Sequence, residues 1–432
     1  MKMLTGVVLG LIGTGSAISA CTDDFESCRE TRTCPLESGE AGQSVAGMSD
    51  EPGGSGGDMA SSGSSGNATE GIGGDAWSGQ AGSDNSAGSN SGEACELGTS
   101  ECSGNLLQTC GDDGTWGPAV PCPDDAPVCH LGSCRGAPSC SALPDDCGSS
   151  KTDCCTSPVI EGGAFDRGND LNYPAHVADF RLDKFEVTVG RFRKFVVAVG
   201  GGYRPAKGAG KHEHLNGGKG LVGGDGVTFE SGWLDEWNAL LPKTPTEWSD
   251  ALGCSPTYQT WRLVAGSNDG LPINCVDWIA AYAFCTWDGG FLPSASELNY
   301  AAAGGEEQRR YPWGEALPGK NTELAGYGCY FGGGAGKCSG IVNIPPVGAI
   351  VAGAGKWGQL DLSGGVFEWA LDWTGAPATT CNDCAVLDTT DGHVKRGGSF
   401  FNGAVWLSSA GPTGFATTPT GYELGLRCAR AR

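Results

Sequence analysis

The sequence predicts an α+β domain with much irregular structure over residues 158–432, preceded by a disordered linker and a small disulfide-rich module. Three observations lead there. A long Gly- and Ser-rich tract carries almost no aromatic residue, ten cysteines crowd between Cys95 and Cys155, and the remainder is rich in Gly and Trp with helical period in only two short stretches.

The chain opens on one positive charge, Lys2, and an uncharged, mostly apolar run from Met3 to Ala20, too short and too Gly-rich to span a bilayer as a helix. Residues 1–20 read as a signal peptide. The run closes in Ile18-Ser19-Ala20-Cys21, a lipobox pattern, so the thiol of Cys21 is the expected lipidation site; the alternative is an ordinary secretory signal with a chance cysteine. No later stretch is apolar enough to span a membrane, so the lipid would be the membrane contact. Thr22 after the cysteine favours the outer membrane within the cell envelope. Behind a signal peptide, 21 cysteines point to disulfides, and removing Cys21 leaves twenty in even groups: Cys28 with Cys34, ten from Cys95 to Cys155, and eight from Cys254 to Cys428. The net charge of −23 argues against nucleic acid as a partner, which needs a clustered basic face.

Residues 21–94 form the linker, whose Gly, Ser, Ala, Asn and Asp cannot bury enough apolar surface to offset chain entropy. The Gly-rich tract reaches on the order of 40 Å. Residues 95–157 form the Cys-rich module, with short loops around Trp116 and too little apolar content for an unaided core, so disulfides must hold it. Zinc is the competing reading, and the paired CxxC spacing it needs is missing. In 158–432 two helices are expected: Val189 to Val197, with Phe192, Phe195 and Val196 on one face, and Val276 to Trp287, where Trp278, Tyr282, Ala283 and Cys285 recur near helical period.

Seven motifs then carry a family resemblance. Asp183-Lys184-Phe185-Glu186-Val187-Thr188 resembles the D-x-x-E-V-T opening of the formylglycine-generating, sulfatase-modifying factor family, Pro272 to Trp278 its P-V-x-x-V-x-W entry to a helix, and Ala281 to Ala302 its long run through L-P-T-E-A-E-W-E-Y-A-A. Tyr311-Pro312-Trp313-Gly314, the stretch from Leu360 to Trp369, Arg396-Gly397-Gly398-Ser399-Phe400 and Leu424-Gly425-Leu426-Arg427-Cys428 follow in the family's order. The resemblance implies a formylglycine-generating-enzyme-like fold related to C-type lectins, with a small sheet and two packed helices.

The resemblance also implies a test of activity. Active members hold copper(I) with two cysteines shortly after R-G-G-S, a task for soft thiolates. Here Asn402 and Leu407 stand at those positions, so copper and the formylglycine reaction are not expected; Ser399 remains of the catalytic floor. Phe367 replaces the first Trp of the family's W-E-W, and Glu423 the Asn before L-G-F-R. Cys381 and Cys384 form a CxxC read as a structural bridge rather than a metal or redox pair. His212-Glu213-His214 suggests a metal site, but its Gly-rich flanks favour an exposed loop.

Relatives bind calcium in the loop before W-E-W through one Asn or Asp, two backbone carbonyls and a Glu, which the resemblance places at Asp361, Gly364, Val366 and Glu368. Hard oxygens suit Ca²⁺. The alternative is that both carboxylates only bond loop amides. A second calcium site would open at Asn321 and Thr322, without a clear counterpart for its Asp near Ser339. Two function classes remain: a non-catalytic binding or structural module facing an envelope protein, a peptide or a glycan, and an oxidoreductase of the superfamily with altered chemistry.

Overall fold

The computed structural model describes residues 94–432, apart from 104–105, 125, 145, 335, 389, 391, 412–413 and 417–419. The signal peptide, Cys21, Cys28, Cys34 and almost all of the linker lie outside the described residues. Among the described residues no helix is long and apolar enough to cross a membrane.

Among the described residues four α-helices form, two more than the sequence pattern predicts. In α1 (Val189–Gly200) the Thr188 hydroxyl caps the first turn by accepting the Arg191 N–H at 3.2 Å, and Phe192, Phe195, Val196 and Val199 recur at helical spacing on the buried face. The short α2 (Pro245–Ala251) starts with Thr244 as cap and Pro245 in its first turn, and anchors through Trp248. Helix α3 (Trp278–Trp287) begins two residues after the expected Val276 because the Asp277 carboxylate accepts the Ala280 N–H at 2.7 Å. Helix α4 (Ala295–Ala303) is closed at its start by a reciprocal Ser294–Glu297 capping box and at its end by Gly304 at φ 67°, a left-handed position that suits Gly.

The strands are short. One sheet runs β8 (Gly414–Ala416), β7 (His393–Arg396), β5 (Phe367–Trp373), β9 (Leu424–Gly425), with β5 antiparallel to β7 and parallel to β9. A second sheet places β4 (Phe180–Leu182) between β1 (Val159–Ile160) and β10 (Ala429–Ala431). The third places β3 (Pro174–Val177) between β2 (Gly163–Asp166) and β6 (Cys381–Asn382). The larger core lies where α1 meets α3: Phe192 stacks on Phe284 at 5.5 Å and takes the edges of Trp248 and Trp261.

Beneath that core four charged side chains, each with no exposed surface, form a closed ring. Arg191 reaches Asp183 at 3.0 Å and Asp288 at 2.6 Å; Arg430 reaches Asp288 at 2.8 Å and also pairs with Asp183. Burial opposes charge on Arg191, but Asp183 and Asp288 outweigh it and hold the guanidinium above its ordinary value. The ring ties α1, α3, β10 and the turn after β4 together.

Nine disulfides pair all eighteen cysteines of the described residues. Five hold the Cys-rich module, which rules zinc out there because no thiolate is left to ligate it. Of the four in the larger domain, Cys285–Cys428 fastens α3 to the segment before β10, and Cys381–Cys384 closes the CxxC as a disulfide. The module packs directly on the domain. Arg191 donates to the Ser139 hydroxyl at 2.9 Å and the Cys154 carbonyl at 3.2 Å, while buried Arg181 donates to the Ser157 carbonyl at 2.9 Å and pairs with Asp124.

Candidate functional site

The segment after β7 builds the floor that the motifs point to. Gly397 and Gly398 adopt φ 94° and 75°, turning the chain so that Ser399 enters the interior with no exposed surface. The Ser399 hydroxyl donates to Asn402 Oδ1 and accepts the Phe401 N–H at 3.2 Å. Asn402 is thus tied to the turn, and its carbonyl accepts the Gly328 N–H at 3.0 Å. Leu407 is buried in an apolar cluster with Tyr311, Ala325 and Tyr327. Where two thiolates would be needed, the chain places a hydrogen-bonded amide and a packed alkyl group, neither of which can hold copper(I). Beside the floor, Tyr258, Phe401 and Tyr422 make an aromatic patch with ring centroids 4.9 to 5.9 Å apart, and Phe401 lies at the surface. Sequence reading missed this patch, whose members come from three distant segments.

Two of the substituted positions, Phe367 and Glu423, meet through Lys395. Phe367 packs edge-on against Trp406 at 5.5 Å and underlies the Lys395 ammonium, which pairs with Glu423 at 2.9 Å.

An acidic cluster lies behind the loop of residues 361–366. Asp361 and Glu368 are both buried, and the structure adds a third carboxylate, Glu186, which accepts the Val366 N–H at 2.8 Å. Arg427 is the cation facing all three; it donates to Glu368 at 2.8 Å and to the carbonyls of Asp183, Lys184 and Leu360. One guanidinium does not neutralise three carboxylates. Burial, then Asp361 and Glu368, push Glu186 well above the usual carboxylate range, and burial lifts Asp361 to about 6. Asp361 adopts a left-handed φ of 58° and accepts the Gly348 N–H at 2.5 Å, and a Cβ at Gly365 would run into the Glu186 carboxylate. Gly364 and Val366 lie in the same loop, while Asn321 and Thr322 sit on a separate exposed-to-half-buried turn.

The family model for the sulfatase-modifying factor enzyme 1-like domain matches residues 145–432. The chain belongs to this family. It is 28% identical to the mouse formylglycine-generating enzyme over 239 residues, covering 52% of this chain and 58% of that protein. It is 30% identical to the bovine protein named inactive C-alpha-formylglycine-generating enzyme 2 over 291 residues, covering 62% of this chain and 86% of that protein. A hercynine oxygenase of Mycolicibacterium thermoresistibile is 29% identical over 206 residues, 46% of this chain and 38% of that protein. Among solved structures, PvdO from Pseudomonas aeruginosa is similar with a TM-score of 0.40 and 19% identity, covering 63% of this chain and 93% of that one.

In this sulfatase-modifying factor domain the His-Glu-His segment is not the exposed loop that its glycines suggest. His212 has no exposed surface and lies between two buried carboxylates, with Nδ1 3.0 Å from Glu230 and Nε2 3.1 Å from Glu297. Glu297 also closes the capping box of α4, and Glu230 accepts the N–H groups of His212 and Leu221, so the imidazole joins the irregular segment to the helix. Burial disfavours its charge, but the two carboxylates prevail and raise His212 to about 10. His214 remains at the surface, stacked on Phe291 at 5.5 Å.

Because the folded value lies above the unfolded value of about 6.5, the His212 contribution to stability is complete below that pH and lost as pH rises towards about 10. Thermal melts should therefore show a gap between wild type and His212→Gln that is widest at about pH 6 and narrows progressively up to about pH 10. A constant gap over that range would show that the imidazole is not charged in the fold.

Proposed function

We propose that this chain is a cell-envelope lipoprotein, anchored through Cys21, whose sulfatase-modifying factor domain does not form formylglycine and acts as a binding or structural module. The observation that carries this is the replacement of the two thiols: Asn402 is hydrogen-bonded to Ser399 and Leu407 is packed under Tyr311 and Tyr327. No described cysteine is free to take their place, since all are disulfide-bonded. Similarity to a bovine relative named as inactive supports the same reading. Glu186, Asp361 and Glu368 support a resident calcium: hard carboxylate oxygens outnumber the guanidinium beside them, and a divalent cation held by Asp361, Glu368 and the carbonyls of Gly364 and Val366 would offset the excess charge.

Three experiments bear on this. Incubated with copper and a Cys-x-Pro-x-Arg peptide, the protein should give no formylglycine product above a protein-free control by mass spectrometry; turnover would remove the non-catalytic reading. Wild type should partition with membranes, whereas Cys21→Ser should stay unprocessed or soluble, and equal partitioning with an unmodified N-terminus in both would remove the anchor. For calcium, a ligand binding only the folded state adds about 2.7 kcal/mol at a hundredfold excess over Kd, a shift of several degrees for a domain of this size. Chelator should lower the wild-type melting temperature by that order and move Glu368→Gln less. An unmoved wild-type melt means that hydrogen bonds alone hold the loop.

A further inference from the structure

A second site lies apart from the Ser399 floor, which contributes no residue to it. A cavity of about 420 Å³ opens between the turn after β2, the first turns of α4, the end of β5 and β7, within the size range of small-molecule sites. Two guanidiniums, Arg167 and Arg396, line it, together with Tyr173, Trp373 and Val394. In a chain of net charge −23 this is an unusual pairing, and neither guanidinium has an ion-pair partner among the described residues. Arg396 donates to the Ser409 carbonyl at 2.9 Å; Arg167 donates to the Ala378 carbonyl, and its Nε is buried without a hydrogen-bond partner.

Two carboxylates also line the cavity: exposed Asp388, and buried Asp372, which acts electrostatically on both guanidiniums. The two oxygens of Asp372 accept the Ala295 N–H at 2.7 Å and the Val386 N–H at 2.9 Å, and burial lifts it to about 6. Burial also pushes Arg396 down to about 10, against the opposing pull of Asp372. Both arginines are held on one scaffold. Asn299 accepts the Gly168 N–H at 2.8 Å and donates at 2.9 Å to the same Ser409 carbonyl that receives Arg396. Two planar forks lining one cavity suit a carboxylate, and the Trp373, Tyr173 and Val394 walls suit an apolar body attached to it.

We propose that this cavity binds a small organic anion, a carboxylate carried on an apolar or aromatic body, with the carboxylate at Arg167 and Arg396 and the body against Trp373 and Val394. The site goes beyond the binding-module reading and stands whichever way the formylglycine assay falls. It is tested by titration calorimetry on the full chain with three probes: indole-3-acetate, its neutral isostere indole-3-acetamide, and inorganic sulfate. Indole-3-acetate should bind saturably, and the amide and sulfate should each bind at least about tenfold more weakly, since one charge-assisted pairing is worth about 1.5–3 kcal/mol. Arg167→Gln, at a half-buried position, should weaken indole-3-acetate by about tenfold or more while leaving the melting temperature within a degree or two of wild type; Arg396→Gln is the second variant, read alongside its own melt. Equal binding of acid and amide, wild-type affinity in Arg167→Gln, or no saturable heat with indole-3-acetate overturns the proposal. Sulfate binding as tightly as the acid overturns its organic part and leaves a site for inorganic anions.

Discussion

The ring of Asp183, Arg191, Asp288 and Arg430 is the constraint on which the remaining architecture depends. Its members come from the turn after β4, α1, the end of α3 and β10, so it fixes two helices, the middle sheet and the docked Cys-rich module at one point. Four charges stripped of water are tolerated because each faces two of opposite sign, the remaining Arg191 donors meet the Ser139 hydroxyl and the Cys154 carbonyl, and Asp288 accepts the Ser139 N–H. Removing one member would leave a buried charge without compensation, which costs far more than an ordinary surface pair. The arrangement therefore specifies a single packing of short, irregular elements that a small apolar core would define only loosely.

The same logic recurs at two other places with different balances. At Arg427 three carboxylates face one guanidinium, a surplus of negative charge that suits a cation. At Arg167 and Arg396 two guanidiniums share a cavity with two carboxylates, Asp372 and Asp388. At His212 one imidazole is shared by two glutamates and closed to solvent.

The sequence exposes these features unevenly. Helices α1 and α3 are legible because apolar residues recur at their period, although that period does not show the cap at Asp277, which sets the start of α3. The capping signature Ser294-x-x-Glu297 also announces α4, but the stretch reads as a motif rather than as a helix; α2 is seven residues long with one buried anchor and gives no periodic signal. The altered floor is legible because the residues around Asn402 and Leu407 follow a family order. His212 is not, since Glu230 and Glu297 lie 18 and 85 positions away and its glycine neighbours suggest solvent. The two arginines of the cavity likewise belong to different segments, and only the Asn299 bridge brings them together.

The position of β10 carries a further consequence, one of timing. Residues 429–431 pair with 180–182, Cys428 bonds to Cys285, and Arg430 completes the ring around Asp183 and Asp288. A chain emerging from its N-terminus therefore holds two buried-to-be aspartates against a single arginine until β10 has appeared. The domain cannot close piecemeal as its elements are made; it waits, unfinished, for β10.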